Sequence, residues 1–391
     1  MYAACFVFLL SISADKPAAN KPPITGERVV ELEVFDNLVI EFLQQHKVPG
    51  ASLAITKDGR LVYARGFGYA DVETKEPVKP TSLFRIASVS KPFTAAAVLQ
   101  IVEHGKLKMD DKVFSILKLE PLCEDGANLD PRWKEITVEQ VLRHKGGWDR
   151  DASGDPMFMP IKIAKAFKAE PPANQEQIIR FMMGKLLDHD PGKKEVYSNF
   201  GYCVLGRVIE RVSGESYEDY LHKHVLKPLG IKTMRLGHTL ESQRAPGEVR
   251  YYDNHENKAV LGPSLGKKVP APYGAWNLEA MDAHGGWIAS AVDVARFASA
   301  LDDPKRFPAL GGERIHNWFA RDYKHKGALD GTSTLMERPI LDGVTWTIFF
   351  NSRYGEGQGK DPRNLADLIE PGLAKAARAI KKWPDGDLFK K

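Results

Sequence analysis

Apolar residues at positions 29, 30, 32, 35, 38, 39, 42 and 43 recur with the period of one helix face, which predicts an amphipathic helix over 27–46. Val48-Pro49-Gly50 ends it. The runs Ala51–Ile55 and Leu61–Ala64 then flank Lys57-Asp58-Gly59, the signature of a β-hairpin. The far end of the chain mirrors this start. Thr332–Met336 and Val344–Phe350 are strand-like, with Asp342-Gly343 as the turn between them. Residues 361–382 follow with a helical pattern (Leu365, Leu368, Ile369, Leu373, Ala376, Ile380), expected to break or kink at Pro371-Gly372. Helical patterns also fall near 138–144, 175–187, 199–212, 216–226 and 292–301, with an irregular Gly/Pro-rich stretch at 241–275. Strands at both ends and helices between them predict an α/β (α+β) fold. One antiparallel sheet is flanked by N- and C-terminal helices and carries an inserted, mostly helical domain. The expected limits are 27–105 plus 285–391 for the sheet domain and 106–284 for the insertion, with a cleft between them as the place for a site.

Composition changes this picture little. The chain has 391 residues, 43% hydrophobic and 27% charged, ordinary for a globular protein. Fifty-five Lys and Arg against 51 Asp and Glu leave a net charge of +4, and the basic residues are dispersed, so a nucleic-acid partner is not expected. Tyr2–Leu10 is a short apolar run followed by small residues and a polar, Pro-rich stretch to Pro23. Residues 1–23 therefore resemble a signal-type leader and linker, which implies export to the periplasm or exterior; the alternative is an N-terminal tail on a cytoplasmic protein. No segment has the length and apolarity of a membrane span. Of the three cysteines, Cys5 falls in the leader and Cys123 and Cys203 lack metal or CxxC spacing. Cys203 reads as a small core residue, and a Cys123–Cys203 bridge has nothing to support it.

The chemistry gathers around Ser88-Val89-Ser90-Lys91, which opens the apolar run Pro92–Val102. Residues three apart share one helix face, and a buried lysine that loses its charge can take the proton of a serine hydroxyl. Ser-x-x-Lys recurs at Ser13, Ser115 and Ser264, but Ser88 alone combines a tight approach with a long apolar helix behind it. Tyr197-Ser198-Asn199 presents a phenol and an amide at the start of the helix over 199–212, suited to proton transfer and to orienting a carbonyl. Tyr252-Asp253-Asn254 has the same form but sits in a polar, surface-like stretch. His325-Lys326-Gly327 precedes the Thr332 strand and suits an edge strand along which a substrate backbone approaches closely. His144-Lys145-Gly146 and His284-Gly285-Gly286 match the same pattern and read as cap and turn residues.

Taken in order, Ser88–Lys91, Tyr197–Asn199 and His325–Gly327 resemble the motifs of the penicillin-recognising serine hydrolases. These are the class C β-lactamases, D-Ala-D-Ala carboxypeptidases, related esterases and the mitochondrial β-lactamase-like protein. Phe84-Arg85-Ile86-Ala87, Phe200-Gly201-Tyr202, Gly331-Thr332-Ser333 and the helix Ile136–His144 look similar too, and the resemblance runs from about residue 28 to the C-terminus. It implies a β-lactamase/transpeptidase-like fold and an acyl-enzyme mechanism on a small or short-peptide substrate, without metal or organic cofactor. By resemblance Ser88 attacks, Lys91 takes its proton, and Tyr197 relays a proton to the leaving group. Asn199 holds Lys91 and the substrate amide, and His325, Gly327 and Ala328 form the substrate-binding strand. The backbone N–H groups of Ser88 and Ala328 are the oxyanion donors. One departure is Lys326, which stands where the family commonly has a threonine whose hydroxyl helps bind a substrate carboxylate. It puts a peptidase- or esterase-like role at least level with efficient β-lactam hydrolysis, unless strand alternation points Lys326 away from the cleft.

Two rival readings come from the sequence. Gly262-Pro263-Ser264-Leu265-Gly266 matches the nucleophile elbow of α/β-hydrolases, but that elbow needs a strand before it and a helix after, and Lys267–Pro272 is a poor helix start. The fold could also serve as a non-catalytic binding scaffold, since fold alone does not fix function.

Overall fold

The computed structural model describes residues 21–122, 129–301, 312–319, 322–339, 341, 343–355 and 363–390. Cys5, Cys123, Asp342 and the leader-like run lie outside these residues. Five strands form the body of one antiparallel sheet: β1 (Gly50–Lys57), β2 (Arg60–Asp71), β3 (Lys324–Leu329), β4 (Thr332–Glu337) and β5 (Val344–Phe350). Their spatial order is β2-β1-β5-β4-β3, so the two ends of the chain meet where β1 pairs with β5. The β1–β2 hairpin turns at Asp58 and Gly59, both at positive φ (50° and 70°), which explains the Asp-Gly preference there. Ile24–Thr25 pairs with β2 at the far edge, and β3 forms the opposite edge.

Side-chain alternation on these strands feeds two cores. Leu53 and Ile55 of β1, with Trp346, Ile348 and Phe350 of β5, pack under α1 (Glu33–His46) and the C-terminal helix α7 (Leu365–Ala379). Ala54 and Phe349 face the other way, into a larger core built on α2 (Ser90–Glu103) and α6 (Ala291–Ala300). With both faces covered, β1 and β5 are buried almost throughout, and so are Ser90–Ile101 of α2. A helix apolar all round belongs inside a large core, which is why its sequence shows a run rather than a stripe. Of the break or kink expected at Pro371-Gly372, the break does not occur: α7 runs through it from Leu365 to Ala379. Leu365, Ile369 and Leu373 stay buried in one core across the proline, and this tertiary packing offsets one missing backbone hydrogen bond.

Between the halves of the sheet lie α3 (Val138–Leu142), the one-turn helix α4 (Arg150–Ser153), helices over 160–166 and 175–183, and α5 (Asn199–Ser213). The predicted helix near 216–226 is an α-helical turn continued by a π-helix over Leu221–Leu226. A three-stranded sheet (Phe84–Arg85, Trp287–Ala289, Arg235–Leu236) links this region to the entrance of α2, and its strands are too short for periodicity to reveal. Cys203 sits fully buried in α5 as a free thiol. Among the described residues no helix is long and apolar enough to cross a membrane.

Candidate active site

Ser88 lies in a tight 3-10 turn, Ala87–Val89, that leads directly into α2. The turn starts from Ala87 at φ 46°, a backbone state that non-glycine residues seldom adopt outside constrained sites. Its approach is tied down from two sides. The Thr332 and Thr334 hydroxyls of β4 donate to the carbonyls of Arg85 (2.8 Å) and Ile86 (2.9 Å). The buried Arg85 guanidinium lies over the Tyr251, Tyr273 and Trp276 rings and donates to the Pro272 and His238 carbonyls.

Lys91 follows one turn later and is fully buried. Its Nζ lies 3.1 Å from Ser88 Oγ, 2.7 Å from Asn199 Oδ1 and 2.9 Å from the His284 carbonyl oxygen. Burial lowers its pKa well below the ordinary lysine value; the Asp155 carboxylate works against this and the Arg150 charge with it. In its uncharged form the amine has two N–H groups and one lone pair. Two of its three neighbours only accept, so both N–H groups go to them and the lone pair is left for the Ser88 hydroxyl. The Asn199 amide cannot reverse this, because its Nδ2 donates to Asp155 Oδ2 at 2.7 Å.

Tyr197 closes the group. The Lys91 Nζ is 4.7 Å from its ring centroid and the Arg150 guanidinium 5.0 Å. Burial pushes the phenol above its ordinary pKa, while a hydrogen bond with Ser88 and the Arg150 charge pull it back. Ser88 and Tyr197 are both half-buried on the wall of a cleft of about 240 Å3. The cleft is also lined by Arg150, Phe158, Asn199, Ala328, Asp330 and Arg353.

The strand β3 borders the cleft. Gly327 faces the Ser88 turn: a Cβ there would lie 2.2 Å from the Ile86 carbonyl oxygen and 3.1 Å from the Ser88 nitrogen. The close approach that demands glycine is thus made by the protein's own turn rather than by a substrate backbone. Leu329 pairs with Thr332 across the two-residue Asp330-Gly331 turn. That closing pair is hydrogen-bonded, so alternation directs the Ala328 N–H off the ladder at the free edge, beside Ser88. Lys326 points the other way and pairs with Asp367 (2.7 Å) and Glu370 (2.5 Å) of α7. His325 lies behind the cleft wall, its Nδ1 3.2 Å from the Tyr323 hydroxyl. Burial holds its pKa well below the ordinary histidine value.

Ser88, Lys91, Tyr197, Asn199, Gly327 and Ala328 therefore come together, with His325 one layer back. The sequence reading missed several contributors. Asp155 fixes Asn199, Arg150 sits over Tyr197, and the backbone of His284 receives Lys91. The helix face explains this last contact: Thr94, three residues after Lys91, donates to the neighbouring Ala283 carbonyl at 2.6 Å, so α2 grips residues 283–284 at two points. An acidic N-cap such as Asp155 before Pro156 was the one visible signal. Phe158 lines the cleft, whereas Trp148 packs on Trp133 and Phe200. Ser264 occupies a turn between the short strands Glu256–Lys258 and Lys268–Pro270, without the strand-to-helix elbow.

An antiparallel sheet covered by terminal helices, with a serine–lysine–tyrosine group at its edge, is the architecture of the penicillin-recognising serine hydrolases. The chain belongs to this family: residues 35–369 match the Beta-lactamase family model. It is 32% identical over 199 residues to Protein flp of Staphylococcus aureus (strain MW2), covering 51% of this chain but 37% of that protein. It is 29% identical over 324 residues to penicillin-binding protein 4* of Bacillus subtilis (strain 168), covering 76% of this chain and 66% of that one. In structure it resembles D-amino acid amidase from Ochrobactrum anthropi SV3, with a TM-score of 0.67 at 22% identity over 89% of this chain and all of the other, a likeness of fold alone.

Proposed function

We propose that this protein is a serine hydrolase that forms an acyl-enzyme on a small ester, amide or short-peptide carbonyl, with Ser88 as nucleophile. One observation carries the reading: the fully buried Lys91 Nζ lies 3.1 Å from Ser88 Oγ and within hydrogen-bond reach of two fixed acceptors, so the uncharged amine spends both N–H groups on those acceptors and keeps its lone pair for Ser88. As Ser88 Oγ bonds to the carbonyl carbon, its proton passes to Lys91 Nζ. The oxygen that gains charge is held by the N–H groups of Ser88 and Ala328, each such donor being worth about 3–4 kcal/mol of barrier. Collapse breaks the bond to the leaving group, which takes a proton through Tyr197. Water then enters by the reverse path, activated by Lys91 and Tyr197, and frees the acid and Ser88.

The substrate is peptidase- or esterase-like in this reading. Lys326 is committed to the helix layer, so residue 326 offers no group to the cleft. Positive charge comes instead from Arg150 and Arg353 on its walls, the latter 3.6 Å from Asp330. The test is turnover of a short-chain aryl ester, a D-Ala-D-Ala peptide and a chromogenic cephalosporin by wild type and Ser88→Ala. Wild type is expected to hydrolyse the ester or peptide faster than the cephalosporin, and Ser88→Ala to lose about 1,000-fold or more. Turnover that survives in Ser88→Ala would refute the assignment.

A further inference from the structure

The turn that presents Tyr197 is gripped from both sides by one residue, His144. The His144 carbonyl accepts from the Val196 N–H at 2.8 Å, and its Nδ1 accepts from the Ser198 N–H at 3.1 Å. These are the neighbours of Tyr197 on either side. The imidazole also lies along the Tyr197 ring, with centroids 4.7 Å apart and planes inclined by 33°, and along Tyr202 at 5.1 Å. His144 reaches this place by leaving α3 in the left-handed conformation, φ 56°. A backbone N–H can only donate, so Nδ1 must be unprotonated and the ring proton sits on Nε2. The surroundings favour that neutral form: burial first, and then the Arg150 charge, hold the His144 pKa well below the ordinary histidine value.

We propose that His144 is a positioning residue for Tyr197, a neutral imidazole that clamps residues 196 and 198 and so holds the phenol against Lys91 and Ser88. The proposal rests on the role given to Tyr197 above. It differs from a packing role in one respect: the cost of losing the clamp is felt through Tyr197. Two substitutions separate the parts of the side chain. Asn tolerates left-handed φ and offers Oδ1 near the place of Nδ1. Gly accepts the same φ and offers neither acceptor nor ring.

The test is steady-state hydrolysis of a short-chain aryl ester by wild type, His144→Asn, His144→Gly, Tyr197→Phe and the double variant His144→Gly/Tyr197→Phe. Tyr197→Phe is expected to lower kcat by about 100-fold. His144→Gly should lower kcat by about tenfold or more with KM changed less than about twofold, and His144→Asn should recover most of that loss. In the Tyr197→Phe background the glycine substitution should change kcat by less than about twofold, because the group being positioned is gone. The proposal is overturned if His144→Gly matches wild type, if the glycine and asparagine variants are equally impaired, or if the glycine loss is undiminished in the double variant. Full activity in Tyr197→Phe would instead refute the role of Tyr197, and with it this inference. A His144→Gly protein that fails to fold leaves the comparison of His144→Asn with wild type, where a kcat loss above about tenfold overturns the clamp.

Discussion

The two walls of the cleft are built differently. On the sheet side, Ser88 is placed by backbone: a turn entering α2, hydroxyls of β4 on the Arg85 and Ile86 carbonyls, and a glycine that lets β3 touch the turn. On the helical side, Tyr197 and Asn199 are placed by polar side chains from separate segments, namely His144, Asp155 and Arg150. A wall made of backbone fails by losing its shape. A wall made of side chains fails by losing a charge or a hydrogen bond while the fold remains. Substitutions on the two sides should therefore differ in kind.

Gly327→Ala is the severest change expected on the sheet side. Its methyl group would meet the Ile86 carbonyl oxygen at 2.2 Å, and the Thr334 hydroxyl is nearly as close. Neither neighbour can retreat without moving the Ser88 turn. Overpacking of this kind costs about 2–3 kcal/mol or more, so denaturant unfolding should show a clear loss of stability together with a loss of ester turnover. A variant with wild-type stability and turnover would mean that β3 does not brace the turn.

On the helical side, Asp155→Ala and Arg150→Gln should act on Lys91 in opposite directions with little change in stability. In the proposed mechanism activity needs neutral Lys91, so kcat/KM should rise with pH as Lys91 loses its proton. The Asp155 charge favours the protonated form and the Arg150 charge opposes it. Asp155→Ala should therefore move the acidic limb to lower pH, and Arg150→Gln should move it to higher pH. Asp155→Ala should also lower kcat by about tenfold, because Asn199 is freed to turn. Limbs that shift together, or not at all, would separate these charges from Lys91. Lys326→Gln is the mildest case: its ion pairs with α7 are part-exposed, worth about 1 kcal/mol or less, and ester kcat/KM should stay within about threefold of wild type.

The same contrast explains what the sequence could reveal. The β1–β2 hairpin, β4, β5 and the helices over 33–46 and 199–213 carry strong periodicity or turn signals, and they lie where the pattern predicts, except that the first helix starts at Glu33 after a 3-10 turn rather than at 27. Ser88, Lys91, Tyr197 and Asn199 are legible because each pair is set by local spacing on a helix or at its start. Asp155, Arg150 and His144 are not, because their roles arise from contacts across 44, 47 and 54 positions of chain, which no local pattern encodes. His144 reads correctly as a turn residue, at positive φ after α3, yet its ring does a second task that the turn alone does not announce. Pro371 misleads for the opposite reason: a local rule against helix is overridden by packing on both sides of it.

The central claim is that an uncharged Lys91 activates Ser88. Intact-protein and peptide mass spectrometry after brief exposure to a serine-directed fluorophosphonate, run across a range of pH, tests it most directly. The account predicts one adduct, mapped to Ser88, that forms faster as pH rises and is lost in Lys91→Met. An adduct mapped to Ser264 or another residue, or one that forms undiminished in Lys91→Met, would contradict it.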